Sequence, residues 1–548
     1  MSKSVKYFLF ALTFVLMGLL IGFYVKDNVG GSTRISSDQG LKKLQQSLYF
    51  IENNYVEEPQ RTQLIEEAIQ GITDNLDPHS FYIPAKEMVQ MQEQMEGSFE
   101  GIGIQFNILE DTIYVETPLS GGPSEKIGIK AGDRIIQVNG ETVAGIGITN
   151  TQVMKYLKGE KGSQVNLAIA RRGQSDLLSF TVTRDRIPLN SVEYSYMITD
   201  QIGYIRVSRF AETTYKEFIQ SLKRLQTEGM SHLILDLRNN PGGYMTKAIH
   251  MADDFLSPGK VIVSTEGRRP ESAEKFQSTS SYDAFEKGGL IVLLDYGSAS
   301  ASEIVAGAVQ DQDRGLIVGV RSFGKGLVQI QEEFDDGSAL RLVVSKYYTP
   351  SGRCIQKPYH KSSAEYEKEI LERFQSGEIF DESKISFPDS LKYRTANGRT
   401  VYGGGGIYPD VFVADDTTGS SSYLTQLQIN DLFRRFAIDY VDKHSGLGKL
   451  YPNAASFASD FDISSSISSA FFSFASDKGV DYSSKDLSTS KTLIMTQLKA
   501  MIGRRLFNDD GFYPIIHKQD RVLQRAIELM PMAIELSETG ELQMAEKG

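Results

Sequence analysis

Ser298-Ala-Ser-Ala-Ser302 places three hydroxyls in five residues, and Phe323-Gly-Lys-Gly-Leu-Val-Gln329 follows a short way downstream. A free serine hydroxyl is a poor nucleophile, but a neutral amine beside it can take its proton. An ordinary lysine ionises near about 10.4 and is charged at neutral pH. Burial disfavours the ammonium and can lower that value by up to about 3–5 units. Leu316, Ile317, Val318, Leu327 and Val328 are apolar neighbours in sequence that suit such a shift at Lys325. The chemistry predicted is acyl transfer by a Ser/Lys pair, with spacing alone leaving Ser298, Ser300 and Ser302 equivalent.

These residues need a frame. Leu290 to Asp295 is a short apolar run bounded by glycines and reads as a buried strand. Glu303 to Asp311 has the apolar spacing and early acid of a helix start, and Gly315 to Val320 reads as a second strand. A hydroxyl at such a strand-to-helix turn has amides and a positive field beside it. Upstream, His232 to Arg238 reads as another buried strand that ends in Asn239-Asn-Pro-Gly-Gly243, whose glycines permit close backbone approach. His79 lies in an Asp-Pro context that favours capping or packing over base chemistry. His232 sits in the core strand and His250 on the helix after Gly243, and no triad-like order ties either to a serine.

Gly297-Ser-Ala-Ser-Ala-Ser-Glu-Ile304 followed by Phe323 to Gln329 resembles the carboxy-terminal processing peptidases, PDZ-bearing serine proteases of bacterial envelopes and plastids. The resemblance implies Ser300 as nucleophile, Lys325 as base and Gln329 as the residue that orients it. A developing oxyanion needs preorganised amides, and the family pattern puts them at Ala301 and at Gly243, in a loop where Gly242 is a near neighbour. The family's closing Gly-Ile-x-Pro-Asp element is present as Gly406 to Asp410. A second module, with Gly101-Ile-Gly-Ile104, Asp111 to Glu116 and Ile129-Lys-Ala-Gly-Asp-Arg-Ile-Ile136, resembles a protease-type PDZ domain. Such domains add a peptide strand to a sheet edge and capture its terminal carboxylate; here that loop is expected at Gly101, Ile102, Gly103 and Ile104.

The fold implied is α/β and multidomain, with a crotonase/Clp-like serine protease core. The 548 residues are too many for one hydrophobic core. The order expected is an anchor over 1–30, a helical N-terminal domain over 31–91, PDZ over 92–185, protease core over 186–415 and a helical extension over 416–548. The core carries a charged insertion at 357–400, with a helix over Ala364 to Gln375. In the extension, helices are expected at Leu424 to Val441, Thr492 to Phe507 and Gln519 to Leu536, the last kinked or broken at Pro531. Tyr7 to Val25 is an uncharged, mostly apolar run of 19 residues preceded by Lys3 and Lys6. It is long enough to cross a bilayer with the rest of the chain on the extracytoplasmic, periplasmic side; cleavage as a signal peptide and release to the periplasm is the alternative.

Cys354 is the single cysteine, so no internal disulfide forms, and a net charge of −12 argues against nucleic acid as a partner. No metal or organic cofactor is implied. The resemblance implies protein and peptide substrates recognised by their C-terminal ends and a homodimer formed through the helical N-terminal region; it specifies no regulatory partner. An inactive, membrane-tethered PDZ adaptor for protein C-termini is the rival from another class, and a ligand-binding relative on the same core is a third.

Overall fold

The computed structural model describes residues 39–119, 121–359, 363–385, 387–414, 418–444 and 446–542. The anchor expected at Tyr7 to Val25 lies outside them, and among the described residues no helix is long and apolar enough to cross a membrane. The chain divides after Thr73 into two compact units. The first contains helices Gln39–Asn54 and Arg61–Thr73, linked by a 2.7 Å ion pair between Arg61 and Glu52.

The second unit is built on a six-stranded sheet in the order Val192–Met197, Ile202–Val207, His232–Asp236, Leu290–Leu294, Leu316–Gly319 and Val411–Phe412. The first pair is antiparallel and the others parallel. Its central strands are continuous apolar runs because both faces are covered. Alternate residues serve different cores. Leu233, Leu235, Leu290, Val292 and Ile317 pack with helices Thr214–Thr227, Met245–Asp253 and Ala301–Asp311. Ile234, Ile291, Leu293, Leu316 and Val318 pack with Val522, Leu523, Leu529 and Leu536 of helix Arg521–Thr539. Leu316 and Val318, expected from sequence to surround the lysine, pack instead on this closing helix.

An antiparallel sheet stands beside the first, with strands Phe81–Ile83, Ala339–Tyr348, Val261–Gly267 and Glu274–Gln277 in that order and Leu327–Glu333 also paired to Ala339–Tyr348. The strand that begins at Leu327 carries Gln329, while Phe81–Ile83 brings Asp77 to Ser80 towards it. A third sheet, Ile104–Leu109, Thr112–Pro118, Arg134–Val138, Gln164–Ala170 and Leu178–Thr183, encloses its own core with helix Asn150–Leu157. The chain enters and leaves this module through Ser98–Gly101 and Asp185–Pro188, which pair antiparallel.

The C-terminal region is helical, with differences from expectation. Leu424 to Val441 forms two helices, Ser422–Ile429 and Leu432–Lys443, because Asp431 between them turns left-handed at φ 53°. Pro531 neither ends nor divides Arg521–Thr539; it lies on the exposed side, where the hydrogen bond it cannot donate is lost towards solvent. The Ser/Phe/Ala-rich stretch supplies helices Ala454–Asp460 and Ser465–Asp477.

Candidate active site

The strand Leu290–Leu294 ends at a turn in which Ser300 takes φ 55°, a conformation that costs a residue with a side chain free energy. The helix Ala301–Asp311 starts at the next residue. The flanking serines are committed to this turn. Ser298 Oγ donates to the Leu237 carbonyl at 2.8 Å and accepts the Asp295 amide at 3.0 Å. Ser302 Oγ donates to the Asn240 carbonyl at 2.9 Å. Both are buried, and Ser300 is the hydroxyl left uncommitted to the Leu237–Asn240 segment.

That segment is locked against the serine turn. Asn240 Nδ2 donates to the Val207 carbonyl at 2.8 Å, its Oδ1 accepts the Gly242 amide at 2.9 Å, and its carbonyl accepts the Ala299 amide at 2.9 Å. Gly242, at φ 99°, has no room for a side chain: a Cβ would lie 2.8 Å from both the Ala299 oxygen and Ser300 Cβ. At Gly243 a Cβ would come within 2.2 Å of the Phe210 oxygen. The Gly242 amide is thus occupied, while the amides of Gly243 and Ala301 have no protein acceptor among the described residues.

Glu303, read in the sequence only as an early helix acid, joins the serine turn to the lysine turn. Its carboxylate is fully buried and accepts four hydrogen bonds: Ser300 N–H and Lys325 N–H on Oε2, both at 2.8 Å, and Ser322 Oγ–H at 2.5 Å and Gly324 N–H at 2.8 Å on Oε1. Two amides that share one oxygen can be no farther apart than twice that bond length, so Ser300 and Lys325 are neighbours in space. The Tyr347 hydroxyl lies between their carbonyl oxygens, 3.0 Å from Ser300 and 2.5 Å from Lys325. Burial raises the Glu303 pKa to about 7 against the opposing pull of its donors. An acid in the first turn of a helix that is buried along its whole length was the available signal.

Lys325 Nζ donates to Gln329 Oε1 at 2.8 Å, and Gln329 Nε2 donates to the His79 carbonyl at 2.5 Å. Burial, reinforced by the Arg341 guanidinium, pulls the Lys325 pKa down to about 8, although Glu303 and Asp77 act the other way. The His79 ring packs beside this chain of contacts. Burial, with Lys325 nearby, lowers its pKa to about 4, and its ring stands edge-on to Tyr366 at 4.8 Å. Asp77 shapes its turn by accepting the amides of His79 and Ser80. Its backbone holding Gln329 had no sequence signal. His232 Nδ1 accepts the Gly289 amide and His250 stacks on Tyr282; both are structural.

The charged insertion was not foreseen as part of this site. Arg373, on helix Ser363–Ser376, donates to the carbonyls of Ser322 at 2.7 Å and Phe323 at 3.2 Å, while Gln356 Oε1 accepts the Gly326 amide at 2.9 Å. In the separate β module, Ile104–Leu109 is an edge strand and Gly103 turns left-handed at φ 72° just before it. Ile102 and Ile104 are buried, and the Ile102 carbonyl accepts from Ser124 Oγ at 2.6 Å. The structure thus places Gly101 to Ile104 at the mouth of the edge strand. Among the described residues no cluster of acids, histidines and cysteine could hold a metal ion.

A parallel sheet with a serine at a strand-to-helix turn, beside a PDZ-type module, defines a PDZ-bearing serine protease fold. Residues 201–361 match the model of peptidase family S41, residues 114–171 that of the PDZ domain, and residues 25–87 that of the activating protease CtpB N-terminal domain. Residues 423–508 match a family of unknown function. The carboxy-terminal-processing protease of Bartonella bacilliformis is 38% identical over 310 residues, covering 56% of this chain and 70% of that one. The carboxy-terminal processing protease CtpA of Bacillus subtilis is 33% identical over 365 residues, or 65% of this chain and 76% of its own. Among solved structures, a photosystem II D1 C-terminal processing protease is 28% identical with a TM-score of 0.33, covering 58% of this chain and 84% of that chain. The chain belongs to the carboxy-terminal processing serine proteases of peptidase family S41.

Proposed function

We propose that this chain is an endopeptidase in which Ser300 attacks the peptide carbonyl, Lys325 takes and returns the proton, and Gln329 orients the amine. The amides of Gly243 and Ala301 receive the developing oxyanion. The observation that carries this reading is the pair of amides, from Ser300 and Lys325, on one oxygen of Glu303. A lysine titrating at about 8 supplies a useful fraction of neutral amine near neutral pH. Attack forms the Ser300–acyl bond and expels the amine leaving group, which takes the proton held on Lys325; water then releases the acid by the reverse transfer.

Substrates are unfolded chains presented by their C-terminal ends, laid as an added strand on Ile104–Leu109 with the carboxylate at Gly101 to Ile104. The reaction belongs on the extracytoplasmic side of a membrane held by Tyr7 to Val25, a placement supported by that segment's length and the lysines before it. Leu41, Leu44, Tyr49 and Phe50 are exposed on helix Gln39–Asn54, which has no buried residue and offers a surface for a second copy. The test is hydrolysis of an unfolded protein by the wild type beside Ser300→Ala and Lys325→Ala. Both variants should fold and be inactive. Cleavage by Ser300→Ala at the wild-type rate overturns the assignment.

A further inference from the structure

Arg238 immediately precedes the oxyanion loop, and its guanidinium is gripped from two sides. From within the sheet, Asp236 accepts Nε at 3.0 Å and Nη2 at 2.6 Å. Asp236 is fully buried, also accepts the Arg238 amide at 2.9 Å, and is fixed by the Tyr204 hydroxyl at 2.7 Å. From the C-terminal extension, Asp520 accepts Nη1 at 3.0 Å on Oδ1 and Nη2 at 2.6 Å on Oδ2. Only 14% of the Arg238 side chain is exposed, so both pairs work where solvent screens them little. Paired donors on a planar guanidinium fix its orientation as well as its charge.

Asp520 is also the N-cap of the closing helix, its Oδ1 accepting the Leu523 amide at 3.0 Å. Capping needs only that oxygen. Oδ1 is shared between the cap and Arg238 Nη1, and Oδ2 is directed at Arg238 Nη2. The segment ahead of the cap is held to the outer strand Val192–Met197 of the same sheet: Tyr513 stacks on Tyr194 at 4.5 Å, and His517 Nδ1 meets the Tyr196 hydroxyl at 3.0 Å. A helix seated by seven apolar residues on the far face of the sheet thereby presents one carboxylate to the strand end that leads into Asn239 to Gly243.

We propose that Asp520 is a positioning residue for hydrolysis: the C-terminal extension, through Asp520 and Arg238, holds the oxyanion loop in register with Ser300. The inference rests on the assignment of Gly243 as an oxyanion donor. Asp520→Asn keeps an oxygen to cap the helix but turns an NH2 towards Arg238. Asp520→Ser keeps a capping hydroxyl with no reach to the guanidinium. A residue that only caps predicts near wild-type turnover from both.

The experiment measures kcat and KM on a peptide substrate with the full chain, the inhibition constant of a peptide aldehyde that forms a tetrahedral adduct, and the unfolding midpoint. For both variants kcat should fall about tenfold, a fraction of what losing a whole oxyanion donor costs. Aldehyde affinity should weaken by the same factor, with KM unchanged. In an Arg238→Lys background, Asp520→Asn should have almost no added effect, because the two residues act as one unit. Unchanged kcat and aldehyde affinity overturn the proposal, as does a loss that tracks the unfolding midpoint or adds fully to Arg238→Lys. Activity retained by Ser300→Ala in the same assay would instead remove the serine assignment, whatever Asp520 does.

Discussion

The turn that presents Ser300 is fastened by what lies next to it in the sheet. Asp295, at the end of the preceding strand, accepts the amides of Gly297 and Asn239, and Asn240 of the neighbouring strand end takes the Ala299 amide and the Ser302 hydroxyl. The turn that presents Lys325 borrows its supports from far along the chain. Glu303 takes two of its amides, Gln356 a third, Arg373 two of its carbonyls, and the His79 backbone holds Gln329, which holds the amine. The proposed nucleophile is thus set by the fold of the sheet itself. The proposed base is set by groups from separate segments, which makes it the more vulnerable half of the site.

The halves meet at the Phe323 amide on the Ser298 carbonyl at 2.9 Å, at the Tyr347 hydroxyl and at Glu303, and Glu303 makes the most of these links, so its loss should have the largest effect. Glu303→Ala strips four buried donors of their acceptor, each worth about 1–3 kcal/mol, and should abolish hydrolysis while lowering the unfolding midpoint. Glu303→Gln can keep its oxygen towards Ser300 and Lys325 and turn its NH2 towards Ser322, leaving the Gly324 amide unsatisfied. It should retain measurable activity. Equal inactivity of the two would show that charge, not the shared oxygen, is what joins the turns.

The pH profile separates the two contributions. Lys325 must be neutral, and Glu303 accepts all four of its hydrogen bonds only when ionised; with pKa values of about 7 and about 8 both conditions fail as pH falls. Wild-type kcat/KM should therefore be level above about 8, fall about tenfold per unit just below, and fall more steeply beneath about 7. Glu303→Gln should show only the single slope. Its midpoint should move down, since the Glu303 charge raises the lysine pKa in the wild type. A midpoint that moves up would contradict the close pairing of the two turns.

Gln329→Ala leaves the Lys325 amine without its oriented partner and the serine turn intact. A net hydrogen bond of about 0.5–1.5 kcal/mol corresponds to a loss in kcat of up to about tenfold. A loss as complete as that of Lys325→Ala would mean that Gln329 takes part in proton transfer rather than orientation.

What was legible in the sequence follows the same division. The strands Leu290–Leu294 and His232–Asp236, the serine turn and the glycine loop are contiguous segments whose local pattern states their geometry. The helix after the serines and the strand Ala339–Tyr348 were equally readable. Ser300 over its neighbours came from family resemblance; no local pattern in the sequence states that the hydroxyls of Ser298 and Ser302 donate to the Leu237 and Asn240 carbonyls. The carbonyl of His79, the guanidinium of Arg373 and the carboxylate of Asp520 act across long sequence separations, and a lone polar residue in an insertion or a helix cap has no periodicity to reveal it. The extension was legible as helices but not in its seat, because the alternation that sends Ile234, Leu293 and Val318 to the second face does not say which segment covers it.

The smallest effect expected is also the one that best tests whether remote supports set the base. Arg373→Met removes the clamp on the carbonyls of Ser322 and Phe323 while leaving Glu369 paired with Lys357 at 3.0 Å and Arg321 at 3.4 Å, so no buried carboxylate is stranded. The serine turn makes none of these contacts. If Arg373 merely braces the insertion, kcat should be unchanged and the pH midpoint should stay at about 8. If it holds the lysine turn in its desolvated place, loosening the turn admits water, and the midpoint should rise towards the ordinary lysine range. At pH 7.5 kcat should then fall by a few-fold and recover at higher pH, where more of the amine is neutral. That recovery distinguishes a displaced base from a damaged fold, because a protein that unfolds or loses its oxyanion loop regains nothing from alkali.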